Sequence, residues 1–378
     1  MKQLKEIIAG LKRKNLFRTF RTISSANSAT VNYKSKNCIM LASNNYFNLN
    51  VHPKVILAAK NAVEKYGTGN CASRLVVNSD LHEKLENEIA RYKKCESALV
   101  YSSGYAANLG IISSVVSKND VIISDELNHA SIIDGCKLSG ALVKIYRHCD
   151  VLDLEKNLKN FSAKRILVVT DSVFSMEGDI APLKEIIKLK KKYEFILMVD
   201  DAHATGIIDT NFGGIDIHMG TLSKSLASVG GYAAGSKDLI DFLRNKSRPF
   251  IYSTGLSPAD CAAALESLKI IKKNKSLRLK LLSNANYIRK GLLKLGFPVG
   301  GNMQIISLVV GDVKNTLKFQ ELLEKEKTFV TAIRPPTVSK AMLRISVMSS
   351  HTKEQLDFAI KAFEKVGKNI KRFNNRSI

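Results

Sequence analysis

Two periods of apolar and polar positions run along this chain, and the change from one to the other divides it. Between about residues 43 and 235, short β-branched runs interrupt stretches of helical spacing. The runs at 98–102, 121–124, 142–146, 166–170, 195–200 and 231–234 have the length of buried strands, and the windows 81–91, 106–114 and 183–192 carry helical periodicity. Strand and helix in alternation predict a mostly parallel sheet covered on both faces, because parallel strands need crossovers that lay helices over the sheet. The pattern then changes. Residues 258–295 read as a long helical region with regular amphipathic spacing over 276–293, followed by strand runs at 305–310 and 343–347 and a last helix from Thr352. The expected organisation is α/β: an N-terminal helical segment over 1–40, a large domain over 41–258 and a smaller α+β domain over 259–378. In the N-terminal segment Leu4, Ile7, Ile8 and Leu11 alternate with Lys and Arg, which predicts an amphipathic helix packed on the main body. With no unbroken apolar core and no small-residue cleavage site, this segment is not read as a signal peptide.

Composition narrows the classes. Apolar residues make up 45% of the 378, which suits a folded chain, and no apolar run reaches the ~20 residues of a membrane helix. No membrane association is expected, and the cytoplasm is the expected compartment. Cys38, Cys71, Cys95, Cys136, Cys149 and Cys261 are scattered, with no C-x-x-C and no neighbouring His cluster, so neither disulfides nor a metal site is expected. The 58 basic residues outnumber 34 acidic ones, for a net charge of +24. The lysines are spread along the chain and no aromatics interleave with them, so nucleic acid is not the expected partner. The charge reads as solvated faces, or as attraction for an anionic partner such as an acidic carrier protein or a nucleotide thioester.

Chemistry concentrates in three places. In FILMVDDAH (195–203) an apolar strand ends in Asp200 and Asp201, with His203 on the same turn, and strand C-termini are where α/β sheets place ligands. A buried carboxylate there needs a cationic partner. In GTLSK (220–224) Lys224 is followed by small residues up to Gly230 and Gly231, surroundings that lower a lysine's pKa and suit it to covalent work on a carbonyl. An Asp and a Lys in this order are what pyridoxal phosphate requires: one to keep its ring nitrogen protonated, the other to carry its aldehyde. In YSSGYAAN (101–108) a strand runs through Gly104 into a helix, which turns free N–H groups and the helix dipole toward an anion.

With these pieces in place the chain resembles the α-oxoamine synthases, which are fold-type I pyridoxal-phosphate transferases. DSVFSMEGD (171–179), VDDAHATG (199–206), TLSK (221–224) and IYST (251–254) stand in that family's order, and the likeness runs from about Arg18 to the last helix. The resemblance implies that Lys224 carries the cofactor, Asp200 partners the pyridine nitrogen, His203 neighbours the ring hydroxyl and His129 stacks on the ring. It implies phosphate contacts from Gly104, Tyr105 and Thr221, a further one from Thr254 reaching across a homodimer, and a cofactor contact from Ser175. Arg18, Asn44, Thr337 and Arg344 resemble substrate contacts, with Arg344 placed to grip an amino-acid carboxylate. Within the family, TAIRPPTV (331–338) resembles the branch that joins L-alanine to a pimeloyl thioester, with loss of CO2, to make a biotin precursor. Glycine C-acetyltransferase, 5-aminolevulinate synthase and serine palmitoyltransferase are the alternatives. Asn45, Asn48, Asn70, Cys71, Val77 and Asn78 depart from the family's usual residues, which bears on acyl-chain preference more than on the chemistry.

Overall fold

The structure is a computed structural model that describes residues 2–161 and 163–374. It divides into two compact units. One comprises Leu49–Ser175 with Ile180–Lys275; the other comprises Met1–Asn48, Met176–Asp179 and Ser276–Ile378.

The first unit is built on a seven-stranded sheet in the order Ser97–Tyr101, Gly231–Gly235, Ile217–Thr221, Ile196–Asp200, Ile166–Asp171, Val121–Asp125, Leu142–Tyr146. All strands run parallel except Gly231–Gly235, which is antiparallel to both its neighbours. The inner strands are mostly apolar and buried because both faces are covered, whereas the edge strand Leu142–Tyr146 leaves Leu142 and Ile145 exposed. Ile122, Leu167, Val169 and Met198 point to one face and pack with Ile111, Ile112 and Ile132 from helices Gly104–Val115 and Ala130–Ser139. Their neighbours Val121, Ile123, Val168, Leu197 and Val199 point to the other, against Leu154, Leu158, Leu183 and Ile186. The period of two along each strand thus serves two cores at once.

The second unit carries a four-stranded antiparallel sheet, Val299–Gly300, Ile305–Gly311, Ala341–Ser346, Thr331–Ile333, and a three-stranded sheet, Thr30–Tyr33, Lys36–Met40, Thr328–Phe329. Phe297, Phe319 and Phe363 meet at ring-centroid distances of 5.8–6.0 Å and join helix Val313–Lys325 to helix Lys353–Asn374.

Three features differ from the expectation. The N-terminal helix spans Lys2–Arg13, and the rest of the segment includes a hairpin turned by Lys34 and Ser35, both at positive φ (50° and 60°). The apolar stripe of that helix is not packed away: Leu4 is 54% and Ile7 59% exposed. The periodicity that forms the helix says nothing about what covers it. The long helical region breaks at Asn274 into Pro258–Lys273 and Lys275–Lys294, and the first piece packs on helices Pro53–Tyr66 and Asp80–Lys93. The compact units therefore change over at 275/276 and at 48/49, and the N-terminal segment clusters with the C-terminal part. The last four residues of the expected 259–378 segment lie outside the described residues.

Candidate active site

The carboxyl ends of the parallel strands open into a cavity of about 230 Å³. It is lined by Gly104, Tyr105, His129, Asp200, His203, Thr221 and Lys224 from the expected set, together with Asn108, Ser131 and Asp171.

Its acidic end is made by neighbouring strands. Asp171 and Asp200 end strands Ile166–Asp171 and Ile196–Asp200 and are register partners, each 2% exposed. Asp200 Oδ1 accepts the Ala202 N–H at 2.8 Å, and Oδ2 accepts from Asn108 Nδ2 at 2.8 Å. Asn108 Nδ2 also donates to Ser131 Oγ at 2.9 Å, and Ser131 Oγ meets His129 Nδ1 at 2.7 Å. This chain of contacts ties Asp200 to the imidazole. Complete burial, and then the charge of Asp200, push the Asp171 carboxyl well above the ordinary range. Asp171 Oδ2 accepts the His129 N–H at 2.9 Å and so fixes the backbone from which the ring projects. Burial, reinforced by Lys224 and opposed by Asp200, lowers the His129 pKa and favours the neutral ring.

Asp201 is turned the other way. Its Oδ2 accepts from Lys93 Nζ at 2.7 Å, Thr210 Oγ1 at 3.1 Å and His218 Nδ1 at 3.0 Å, all buried. Burial alone would raise this carboxyl, but Lys93 and His218 outweigh it and hold it below the usual carboxylate range. Of the two adjacent aspartates, Asp200 alone lines the cavity.

The opposite wall is the start of helix Gly104–Val115. Ser103 caps it, its Oγ accepting the Ala106 N–H at 3.0 Å, which leaves the first N–H groups unpaired within the helix. A Cβ on Gly104 would lie 3.3 Å from Thr221 Cβ, and one on Gly231 would lie 2.6 Å from Ser103 O and 2.8 Å from Gly104 N. Two glycines therefore let this helix end sit directly on strands Ile217–Thr221 and Gly231–Gly235. Lys224 follows the first of these, with Nζ 2.7 Å from His203 Nε2.

The remaining expected residues lie elsewhere. Ser175 is half-buried and Thr254 exposed, the latter bridged to Ser73, and neither lines this cavity. In the second unit, Arg344 is buried, and its guanidinium donates to Ser346 Oγ at 2.9 Å and to Asn44 Oδ1 at 3.0 Å. Arg18 and Thr337 share a different groove of that unit, about 450 Å³, with Arg21 and Arg334. Asn108, Ser131 and Asp171 were not singled out from the sequence. Asp171 ends an apolar run as Asp200 does, and the same strand-end reading finds it; Asn108 and Ser131 look like ordinary helix residues.

Residues 36–363 match the family model for aminotransferase class I and II. The 8-amino-7-oxononanoate synthase of Thermoanaerobacter pseudethanolicus is 45% identical, with 97% of each chain covered. The chain belongs to the aminotransferase class I and II family, on its α-oxoamine synthase branch. A serine palmitoyltransferase from S. paucimobilis, solved with a PLP–myriocin adduct, superposes with a TM-score of 0.92 at 31% identity over 98% of each chain. The 8-amino-7-oxononanoate synthase of Francisella tularensis superposes with a TM-score of 0.75 at 29% identity, over 88% of this chain and 98% of that one. The protein is a pyridoxal-phosphate-dependent acyltransferase. The cavity suits that cofactor: it brings together a doubly hydrogen-bonded buried carboxyl group, a helix N-terminus and a lysine.

Proposed function

We propose that this enzyme condenses L-alanine with a pimeloyl thioester, releasing CO2 and the thiol, to form 8-amino-7-oxononanoate for biotin synthesis. The observation that carries the reading is the convergence of Asp200, His203, Lys224, His129 and a helix N-terminus on one cavity, in a chain 45% identical to a relative of that name. Bound pyridoxal phosphate supplies an electron sink for charge that develops at the amino acid's Cα. Asp200 would hold a proton at the ring nitrogen, its carboxyl group fixed in place by its two hydrogen bonds. The N–H groups of Gly104 and Tyr105, with the Thr221 hydroxyl, hold the phosphate. Lys224 Nζ takes the Cα proton of alanine, positioned by His203. His129, neutral, covers the ring face and donates toward the thioester oxygen as that oxygen gains charge. Arg344 grips the alanine carboxylate, backed by Asn44. Arg18 and Thr337 contact the acyl donor. Its thiol is coenzyme A or a carrier protein, and a surface of net charge +24 favours either anion.

The working form is a homodimer. Leu75, Val76, Val77 and Tyr252, 51–77% exposed, flank the Ser73–Thr254 bridge, an apolar patch that a second copy would cover while Thr254 reaches its phosphate. Among the described residues no helix is long and apolar enough to cross a membrane.

A second reading is serine palmitoyltransferase activity, favoured by the higher TM-score to that enzyme. One assay separates the two. The purified holoenzyme is offered alanine, glycine or serine with pimeloyl, acetyl, succinyl or palmitoyl thioesters, and released CO2 is measured. Alanine with the pimeloyl thioester is expected to turn over fastest. Preference for serine with the palmitoyl thioester overturns the first reading and installs the second.

A further inference from the structure

One cluster of reactive side chains lies outside the cofactor cavity. Asp125 ends strand Val121–Asp125, and His148 and Cys149 follow the neighbouring strand Leu142–Tyr146. The buried Asp125 carboxylate uses both oxygens on this pair: Oδ1 meets His148 Nδ1 at 2.9 Å, and Oδ2 accepts the Cys149 N–H at 2.9 Å. The other ring nitrogen, His148 Nε2, lies 3.6 Å from Cys149 Sγ. The imidazole is also clamped edge-on by Phe174, at a centroid distance of 4.4 Å. Cys149 adopts φ 55°, a left-handed conformation that costs a side-chain-bearing residue energy and persists only where its surroundings impose it. Here the Cys149 N–H is held by Asp125 Oδ2, and Sγ lies beside the imidazole. Both Cys149 and His148 are part-exposed.

Thiol, imidazole and carboxylate in this order form the arrangement that activates a nucleophile: a base within reach of the thiol, itself oriented by a third group. The backbone carbonyl of Ile180, 3.9 Å from Sγ, is the competing acceptor and is the more distant one. An imidazole within reach of the thiol can take its proton and so generate the thiolate that attacks.

We propose that Cys149, with His148 as its base and Asp125 as the orienting group, is a thiol–disulfide exchange site for small aliphatic disulfides, separate from the pyridoxal-phosphate chemistry. In the step, Cys149 Sγ attacks one sulfur of the disulfide and its proton passes to His148 Nε2. The disulfide's S–S bond breaks, a mixed disulfide forms on Cys149, and the second sulfur leaves as a thiolate that takes up a proton. The small disulfide is the oxidant, and one of its two thiols is released.

The test uses the holoenzyme and a limiting amount of bis(2-hydroxyethyl) disulfide, with modified peptides quantified by mass spectrometry over time. Cys71 is an exposed cysteine and serves as the internal reference. Cys149 is expected to be modified at least tenfold faster than Cys71. His148→Gln should bring Cys149 down to the Cys71 rate or below, with the Cys71 rate itself unchanged, which also reports that the variant is folded. Cys71 reacting first in the wild type overturns the proposal, as does an unchanged Cys149 rate in His148→Gln. Because the same three side chains could hold a divalent ion, the wild type is also run with a chelator. Cys149 modification that requires the chelator would make this a metal site and likewise overturn the proposal.

Discussion

Replacing Gly231 by alanine probes the cofactor cradle without touching any group that does chemistry. The added Cβ would lie 2.6 Å from Ser103 O, 2.7 Å from Gly104 Cα and 2.8 Å from Gly104 N, all backbone atoms, whereas ordinary contact begins at 3.4 Å. The helix end must therefore retreat by about 0.8 Å from strand Gly231–Gly235, or the strand must yield by as much. A hydrogen bond from Gly104 N–H to a phosphate oxygen, stretched by that distance, leaves the range in which it counts as a bond. One charge-assisted bond is worth roughly 1.5–3 kcal/mol, so the dissociation constant of pyridoxal phosphate should rise about ten- to a hundredfold. Overpacking should also cost about 1–3 kcal/mol of stability. The assay is titration of the apo-protein with pyridoxal phosphate, followed by absorbance, alongside urea unfolding of the same samples. Gly213→Ala is the control, because a Cβ there meets nothing within 4 Å. If Gly231→Ala binds the cofactor as tightly as Gly213→Ala does, the helix end is not the phosphate cradle.

Borohydride reduction of the holoenzyme should leave the cofactor's mass on the peptide containing Lys224, and Lys224→Ala should lose both that label and turnover; a label on another lysine refutes the assignment. Asp200→Asn should still bind cofactor yet exchange the Cα hydrogen of alanine at least ~10³-fold more slowly, a loss of about 4 kcal/mol, while wild-type exchange by NMR would refute it. His351 is fully buried, and burial lowers its pKa to about 4, so the unfolded chain takes up a proton below about 6.5 that the folded one refuses. Stability from this group is complete above that pH and is lost as pH falls toward 4, by about 2 kcal/mol between pH 7 and 5. Urea unfolding at those two pH values should show that this acid sensitivity is smaller in His351→Asn; an equal sensitivity refutes the argument. The KM for the acyl thioester should rise between 0.1 M and 1 M salt, as screening shortens from ~10 Å to ~3 Å, while that for alanine stays level; a flat thioester KM leaves the basic surface without a steering role.

Legibility followed the physics of each element. Strands announce themselves where their runs are mostly apolar, and six of the seven in the main sheet do so. Ile217–Thr221 was missed because its run, IHMGT, holds a histidine and a glycine. His218 is tolerated there because it pairs with Asp201, whose carboxylate Lys93 also holds from over a hundred residues away, a partnership that leaves no local trace. Lys224, Asp200 and His203 stood out as residue types at a strand end and in a small-residue run. Asn108 and Ser131 did not, since an asparagine in a helix acquires its role only when folding carries it to a carboxylate. The exposed face of helix Lys2–Arg13 was illegible for the converse reason: amphipathic spacing specifies that a face exists, and only tertiary structure says whether anything lies against it.

The antiparallel strand in the main sheet has a consequence for biosynthesis. Among the described residues, Ser97–Tyr101 pairs with a single strand, Gly231–Gly235, which leaves the ribosome about 130 residues later. During that interval the strand leading into the phosphate-binding helix has no partner, and its apolar residues and edge stand open to misassociation. Closing a loop of that length is slow compared with local helix formation, so the cofactor cradle cannot be completed before strand Gly231–Gly235 is available. Nascent chains stalled before residue 231 should consequently be unable to hold pyridoxal phosphate, however much of the remaining sheet has already formed.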